Sequence, residues 1–355
     1  MMNNPASSQS DLGRRAADLP HDPAGEIIAH EAPQYASFAA RHHLIDVSDL
    51  SDSELERLWQ RARDLQERDR RGISTSIFGT LRGHVVATLF FEASTRTRLS
   101  FELAAQRLGG LTLPLDVSRS SLEKSETLSD TLQTLAAMGA TMAVVRHRDN
   151  AVFSQLGPLP GLSLLNAGNG TEAHPTQALL DAFTIQEALG SLRDRTIVIS
   201  GDIVHSRVAR SNARLLGRLG ARVLLCGPSD LMPQACDQQS FAGAQSAPLH
   251  EAILQADVIM CLRVQRERHA GSGNTDGTAA HGTPASAFLA SHGLTVDRFA
   301  KAKPGCLILH PGPVNRDVEI AAALVDHPSS RILRQVRNGL YIRMATLEWI
   351  AGVLP

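Results

Sequence analysis

Apolar residues along the chain fall into two spacings, short unbroken runs and stretches recurring every three or four residues, which predict strands and helices respectively. Asp49-Leu50-Ser51-Asp52-Ser53-Glu54 is a capping pattern, and behind it Leu55, Leu58, Trp59, Ala62 and Leu65 share one helical face. A buried strand follows at Val85 to Phe91, then a helix over about 97–108 that stops at Gly109-Gly110. The first series continues with a strand at 111–115, a helix over about 127–138, strands at 142–145 and 162–166, and a helix over about 176–189. A second series has strands at 196–200, 223–226, 258–262 and 306–309, with a helix over about 208–219. Leu340, Met344, Leu347 and Ile350 give the segment from about 339 to 353 helical spacing. Alternation of this kind predicts an α/β fold of two domains, each a parallel sheet flanked by helices, joined near Gly190. Two segments stand outside the pattern. Residues 1–40 lack a sustained apolar period and read as a disordered extension, and residues 270–286, rich in Gly, Ser and Thr, as a mobile surface loop.

Length supports two domains, because 355 residues exceed what one core usually serves. A formal net charge of −1 gives no global attraction to nucleic acid or anionic membrane, so any affinity for anions must be local. With 4% aromatic residues and no basic stripe, nucleic-acid binding has little to rest on. Cys226, Cys236, Cys261 and Cys306 show neither a C-x-x-C pair nor zinc-type spacing against histidine, so they read as small core residues in a reducing compartment. No run approaches a membrane span and no secretory signal pattern opens the chain, and a cytoplasmic location is expected.

The chemistry sits where strands end. Ser94-Thr95-Arg96-Thr97 follows the strand ending at Phe91 and opens a helix, so unpaired backbone N–H groups, hydroxyls and a planar guanidinium meet at one place, which suits a phosphate. Ser120 and Lys124 lie in a polar segment between a strand and a helix, and Arg146 closes the strand at 142–145. In Asn166-Ala167-Gly168-Asn169-Gly170-Thr171-Glu172-Ala173-His174-Pro175-Thr176-Gln177, the glycines permit a tight turn and Pro175 takes the first helical position. That leaves His174 at the cap, where its charged form is disfavoured and a neutral imidazole can donate to a carbonyl. The first three motifs have plainer readings, as a capped helix, a solvated loop and a surface arginine, whereas the fourth is harder to explain that way.

Taken in order, these four motifs resemble the aspartate and ornithine carbamoyltransferase family, over about residues 43–355. The resemblance implies a carbamoyl-phosphate domain at 41–185, an amino-acid domain at 186–338, and a final helix over about 339–355 packing back on the first domain. Ser94, Thr95, Arg96 and Thr97 would hold the phosphate, Thr97, Arg146 and His174 would polarise the carbamoyl oxygen, and Gln177 would bind the carbamoyl nitrogen. Gly201-Asp202-Ile203-Val204-His205-Ser206-Arg207 and Arg263-Val264-Gln265 look like the aspartate branch, in which Arg207, Arg263 and Gln265 take the substrate carboxylates with help from Lys124. His310-Pro311-Gly312-Pro313 stands where the ornithine branch carries a cysteine, and Gly312 and Pro313 would offer carbonyls to the carbamoyl nitrogen and the amine.

The implied reaction joins carbamoyl phosphate to L-aspartate, a step toward pyrimidines, and needs no metal, cofactor or covalent intermediate. Ser120 and Lys124 would enter a neighbouring subunit's site in a homotrimer or higher oligomer, while association with a regulatory chain or a dihydroorotase stays open. Glu92 is expected to hold the domains closed by pairing with Arg207 or Arg268. Two departures from the family pattern are Ser125, where glycine commonly follows the loop lysine, and the glycine-rich insertion after Arg268. Three other readings compete. An ornithine-type enzyme would prefer another acceptor, a silent scaffold subunit would be free to lose Arg96, Lys124 or His174, and a nucleotide-binding protein would need a phosphate loop that the sequence lacks.

Overall fold

A computed structural model describes residues 42–73, 79–116, 126–234, 239–241, 243–263, 278–279 and 283–354. Ser120, Lys124, Gln265, Arg268, Cys236 and the N-terminal extension lie outside the described residues. Helix α1 (Asp52–Arg70) begins at Ser51, whose hydroxyl accepts from the Glu54 amide while Glu54 returns the bond, and its expected apolar face is buried together with Arg61. The first sheet contains β1 (Val85–Phe90), β2 (Leu111–Leu115), β3 (Met142–His147) and β4 (Ser163–Asn169), all parallel, in the order β2-β1-β3-β4. Helices α2 (Thr95–Arg107), α3 (Leu128–Ala137) and α4 (Pro175–Leu189) complete this lobe.

In the second lobe β5 (Thr196–Ser200), β6 (Arg222–Cys226), β7 (Gln245–Ser246), β8 (Val258–Cys261) and β9 (Leu307–Leu309) form another parallel sheet, in the order β9-β8-β5-β6-β7. Helix α5 (Arg207–Arg218) follows β5, and α6 (Ile332–Ile350) ends the fold, packed against α1, α2 and α4. Side chains alternate across each sheet as the two-residue period demands. Val86 and Val144 face the core shared with α1, α2, α4 and α6, whereas Ala87, Leu89, Ala143 and Val145 face Leu132 and Leu135 of α3. In the second sheet Ile197 and Ile199 join that large core, and Val198, Leu224, Ile259 and Ile308 form a separate one. Cys226, Cys261 and Cys306 are free, buried members of the separate core, their thiols pushed up by desolvation.

Two expectations change. Helix α6 starts at Ile332, not near 339, because Leu333 and Val336 are exposed and blur the apolar period. Within the expected loop at 270–286, Thr278–Ala279 pairs antiparallel with Thr283–Pro284, and a helix follows at Ala285–His292. Among the described residues no helix is long and apolar enough to cross a membrane.

Candidate active site

Every strand of both sheets is parallel, so the strand ends that carry polar turns gather on one side, where ligands of such sheets sit. There the two lobes enclose a cavity of about 850 Å³. Its wall includes Ser94, Thr95, Arg96 and Thr97 from the start of α2, Arg146 from β3, and His174 and Gln177 from the start of α4. Glu92, Arg207, Arg263, Gly312 and Pro313 complete the expected set among the described residues. Ser94 is the N-cap residue of α2, but its side chain makes no capping bond, so the plain reading of this motif as a capped helix does not account for the hydroxyl.

Glu92 stands between two guanidiniums. Its Oε2 accepts from Arg207 Nη2 at 2.8 Å and lies 3.4 Å from Arg146 Nε. Arg207 also donates to the Gly170 carbonyl at 3.1 Å, and Arg146 to the Ala167 carbonyl at 3.3 Å. Gly168, at φ +116°, lets the backbone come this close, since a Cβ there would sit 3.0 Å from Arg207 Cζ and 3.2 Å from Arg146 Nη1. Burial lowers the pKa of Arg96, and the nearby Arg263 lowers it further, so cations from α2 and from the end of β8 face one another across the lobes.

His174 caps α4 with Pro175 behind it, and its backbone N–H donates to Ser211 Oγ of α5 at 2.9 Å. Its imidazole is buried, and desolvation, then Arg146, Arg207 and Arg343, hold its pKa well below the usual value, so the ring is neutral. The turn at 310–313 is held by His310, whose Nδ1 accepts from the Gly312 N–H at 2.8 Å and whose Nε2 pairs with Glu319 at 3.0 Å. A Cβ on Gly312, at φ +69°, would lie 3.4 Å from Arg96 Nε.

Sequence reasoning missed Asp181, Gln335 and Arg343. Asp181 is fully buried and accepts from Gln177, Gln335 and Asn212, and desolvation raises its carboxyl pKa to about 6 despite those bonds and Arg343. The Gln177–Asp181 spacing of four residues was a legible helix pair, but nothing local marked Gln335 or Arg343. Arg343 lies over the Phe101 ring, 5.1 Å from its centroid, lines the cavity, and burial lowers its pKa to about 10. Among the described residues no cluster of three or more His, Cys, Asp or Glu side chains is placed to hold a metal ion. A second cleft of similar volume lies between the 46–52 segment and α5, but Arg214 there is paired with Asp46 and Glu172, and Arg218 with Asp52.

Residues 42–187 match the family model described as aspartate/ornithine carbamoyltransferase, carbamoyl-P binding domain, and residues 193–350 match its Asp/Orn binding domain. The chain belongs to the aspartate/ornithine carbamoyltransferase family. Relatives in that family include the aspartate carbamoyltransferase catalytic subunit of Solibacter usitatus, 43% identical over 310 residues, covering 87% of this chain and 99% of the relative. The catalytic subunit of Thermus thermophilus is 45% identical over 307 residues, covering 86% and 96%. Among solved structures, aspartate transcarbamoylase from Trypanosoma cruzi in complex with carbamoyl aspartate and phosphate superposes with a TM-score of 0.74 at 33% identity, covering 88% of this chain and 96% of that one. The same enzyme in complex with carbamoyl phosphate and aspartate gives 0.71 at 30% identity, covering 88% and 97%.

Proposed function

We propose that this family member transfers the carbamoyl group of carbamoyl phosphate to the α-amine of L-aspartate, giving N-carbamoyl-L-aspartate and phosphate. The observation that carries the reading is the meeting of Arg96, His174 and Arg263, from three separate elements, in one cavity between the lobes. Attack by the neutral amine on the carbamoyl carbon builds negative charge on the carbamoyl oxygen, and collapse of the adduct expels phosphate. Thr97, Arg146 and neutral His174 stabilise the oxygen, and Ser94, Thr95, Arg96 and the N-terminus of α2 take the leaving phosphate. Gln177 and the carbonyls of the Gly312 and Pro313 turn receive the carbamoyl nitrogen. Arg207, Arg263 and Gln265 hold the two carboxylates of aspartate, which favours a dicarboxylate over ornithine.

Placing two anions in attack geometry is itself a large contribution, up to about 7–11 kcal/mol in well-oriented systems. The Glu92–Arg207 pair joins β1's end to α5 and supports a closed form that excludes water. In the cytoplasm the chain works as a homotrimer in which Ser120 and Lys124 complete the neighbour's site. A colorimetric assay for carbamoyl-aspartate, run with ornithine as the alternative acceptor, tests the reaction, and product from ornithine alone would overturn the acceptor assignment. Mixing Lys124→Ala chains with Arg96→Ala chains tests the shared site, since hybrid trimers should recover activity that neither parent has.

A further inference from the structure

Asp181 lies one turn beyond Gln177 on α4 and is completely buried. Most buried neighbours on that helix are apolar, among them Ala178, Leu179, Leu180, Ala182 and Phe183. A carboxylate in such surroundings is costly, and an apolar side chain would serve the core better. Around it, however, three amides converge. Gln177 Nε2 donates to Oδ1 at 2.8 Å, Gln335 Nε2 to the same oxygen at 2.7 Å, and Asn212 Nδ2 to Oδ2 at 2.9 Å.

An ionised carboxylate only accepts, so each amide must turn its NH₂ group toward it. Independent bonds agree with that orientation at two of the three. Gln335 uses its oxygen to accept from the His310 N–H at 2.9 Å, and Asn212 Nδ2 also donates to the Val208 carbonyl at 3.0 Å. Gln177 has its NH₂ committed to Asp181 and lines the cavity, so its amide presents oxygen to a ligand. An oxygen on that wall accepts from the N–H of a carbamoyl group and has no such bond to make with the methyl of an acetyl group.

We propose that Asp181 is the positioning residue that makes this cavity select a carbamoyl over an acetyl phosphate, by locking the Gln177 amide with its oxygen toward the substrate. The proposal rests on the reaction proposed above. Through Gln335 the same carboxylate ties α4 to the 310–313 turn, so both groups that receive the carbamoyl nitrogen are set by one buried anion.

The test compares wild type with D181N and D181L. In D181N the uncharged amide accepts at only one of the two oxygen positions, so, with Gln335 held as a donor by His310 and Asn212 by Val208, the three donors can no longer all be satisfied and the lock on Gln177 is weakened. In D181L the orienting acceptor is gone. The readouts are the KM for carbamoyl phosphate and the inhibition constants of acetyl phosphate and inorganic phosphate, with folding checked by circular dichroism. The ratio of the acetyl phosphate constant to the carbamoyl phosphate KM should fall by about tenfold or more in both variants, the scale of one hydrogen bond, while phosphate binding stays within about threefold of wild type. A merely structural role would weaken all three ligands in parallel, and that result, or an unchanged ratio in either folded variant, overturns the proposal. If wild type itself fails to carbamoylate aspartate, the reaction assignment falls; if it succeeds and the ratio does not move, only the role of Asp181 does.

Discussion

Arginines in two regions of this molecule behave in opposite ways. Arg61, on the inner face of α1, donates from Nε and Nη2 to the carboxylate of Glu348 on α6, each at 2.7 Å, and its pKa is raised chiefly by those bonds. Arg96 and Arg343, at the cavity, have pKa values lowered by desolvation, and among the described residues neither forms a salt bridge, Asp181 only partly offsetting the loss at Arg343. The first arrangement is complete within the chain and holds two helices together. In the second, Arg343 is buried without full compensation and Arg96, open to the cavity, is partly desolvated and faces Arg263, an unfavourable arrangement that is relieved when an anion arrives. Arg61 thus has its partner built in, whereas Arg96 and Arg343 leave charge for a ligand; Arg146 and Arg207 lie between these cases, sharing Glu92.

The largest expected effect breaks the structural side. Glu348→Ala leaves Arg61 buried and unpaired and removes the acceptor of Thr80 Oγ1, so denaturant unfolding should show a loss of about 3–5 kcal/mol. Arg96→Ala should do the reverse, lowering kcat/KM by about 10²–10³-fold with an unfolding midpoint at or above that of wild type. Asp181 sharpens the contrast through pH. Its carboxyl keeps its proton up to about pH 6 in the native state, against 3.8 for an ordinary aspartate, so between these values the native state binds more protons. Stability from this group therefore falls as pH rises through the window, and the unfolding free energy of wild type relative to D181N should decline by about 3 kcal/mol between pH 4 and pH 7.

Next comes Glu92→Gln, which removes the charge shared by Arg146 and Arg207. The aspartate KM should rise, or turnover fall, by about tenfold, and unchanged saturation and turnover would show that the bridge is idle. The smallest effect is at the surface. Glu67 pairs with Arg70 and Arg71, which pull its pKa to about 2, yet the pairs lie at the surface where solvent screens them, and Glu67→Ala should leave the unfolding midpoint unchanged within error.

What could be read in advance was local. A Ser51–Glu54 capping box marked α1, and Pro175 with His174 marked the start of α4. Apolar runs marked the buried strands because both faces of a parallel sheet are covered. Helix α6 was misplaced at its start for the same reason: Arg331 caps it without a side-chain bond, and exposed Leu333 and Val336 interrupt the period, so no short-range signal was present. Arg343 looked like one more polar residue on an amphipathic helix, and only packing against Phe101 and the wall of the cavity distinguishes it.

The sequence by itself determined the alternating strands and helices, the phosphate-type start of α2, the neutral cap at His174 and the family, because periodicity, capping and motif spacing are properties of a few neighbouring residues. Tertiary structure decided that Arg343 loses water without gaining a salt bridge, that Glu92 bridges the lobes, and that Asp181 orients Gln177. Those outcomes depend on desolvation and on partners far apart along the chain, and no local pattern encodes either.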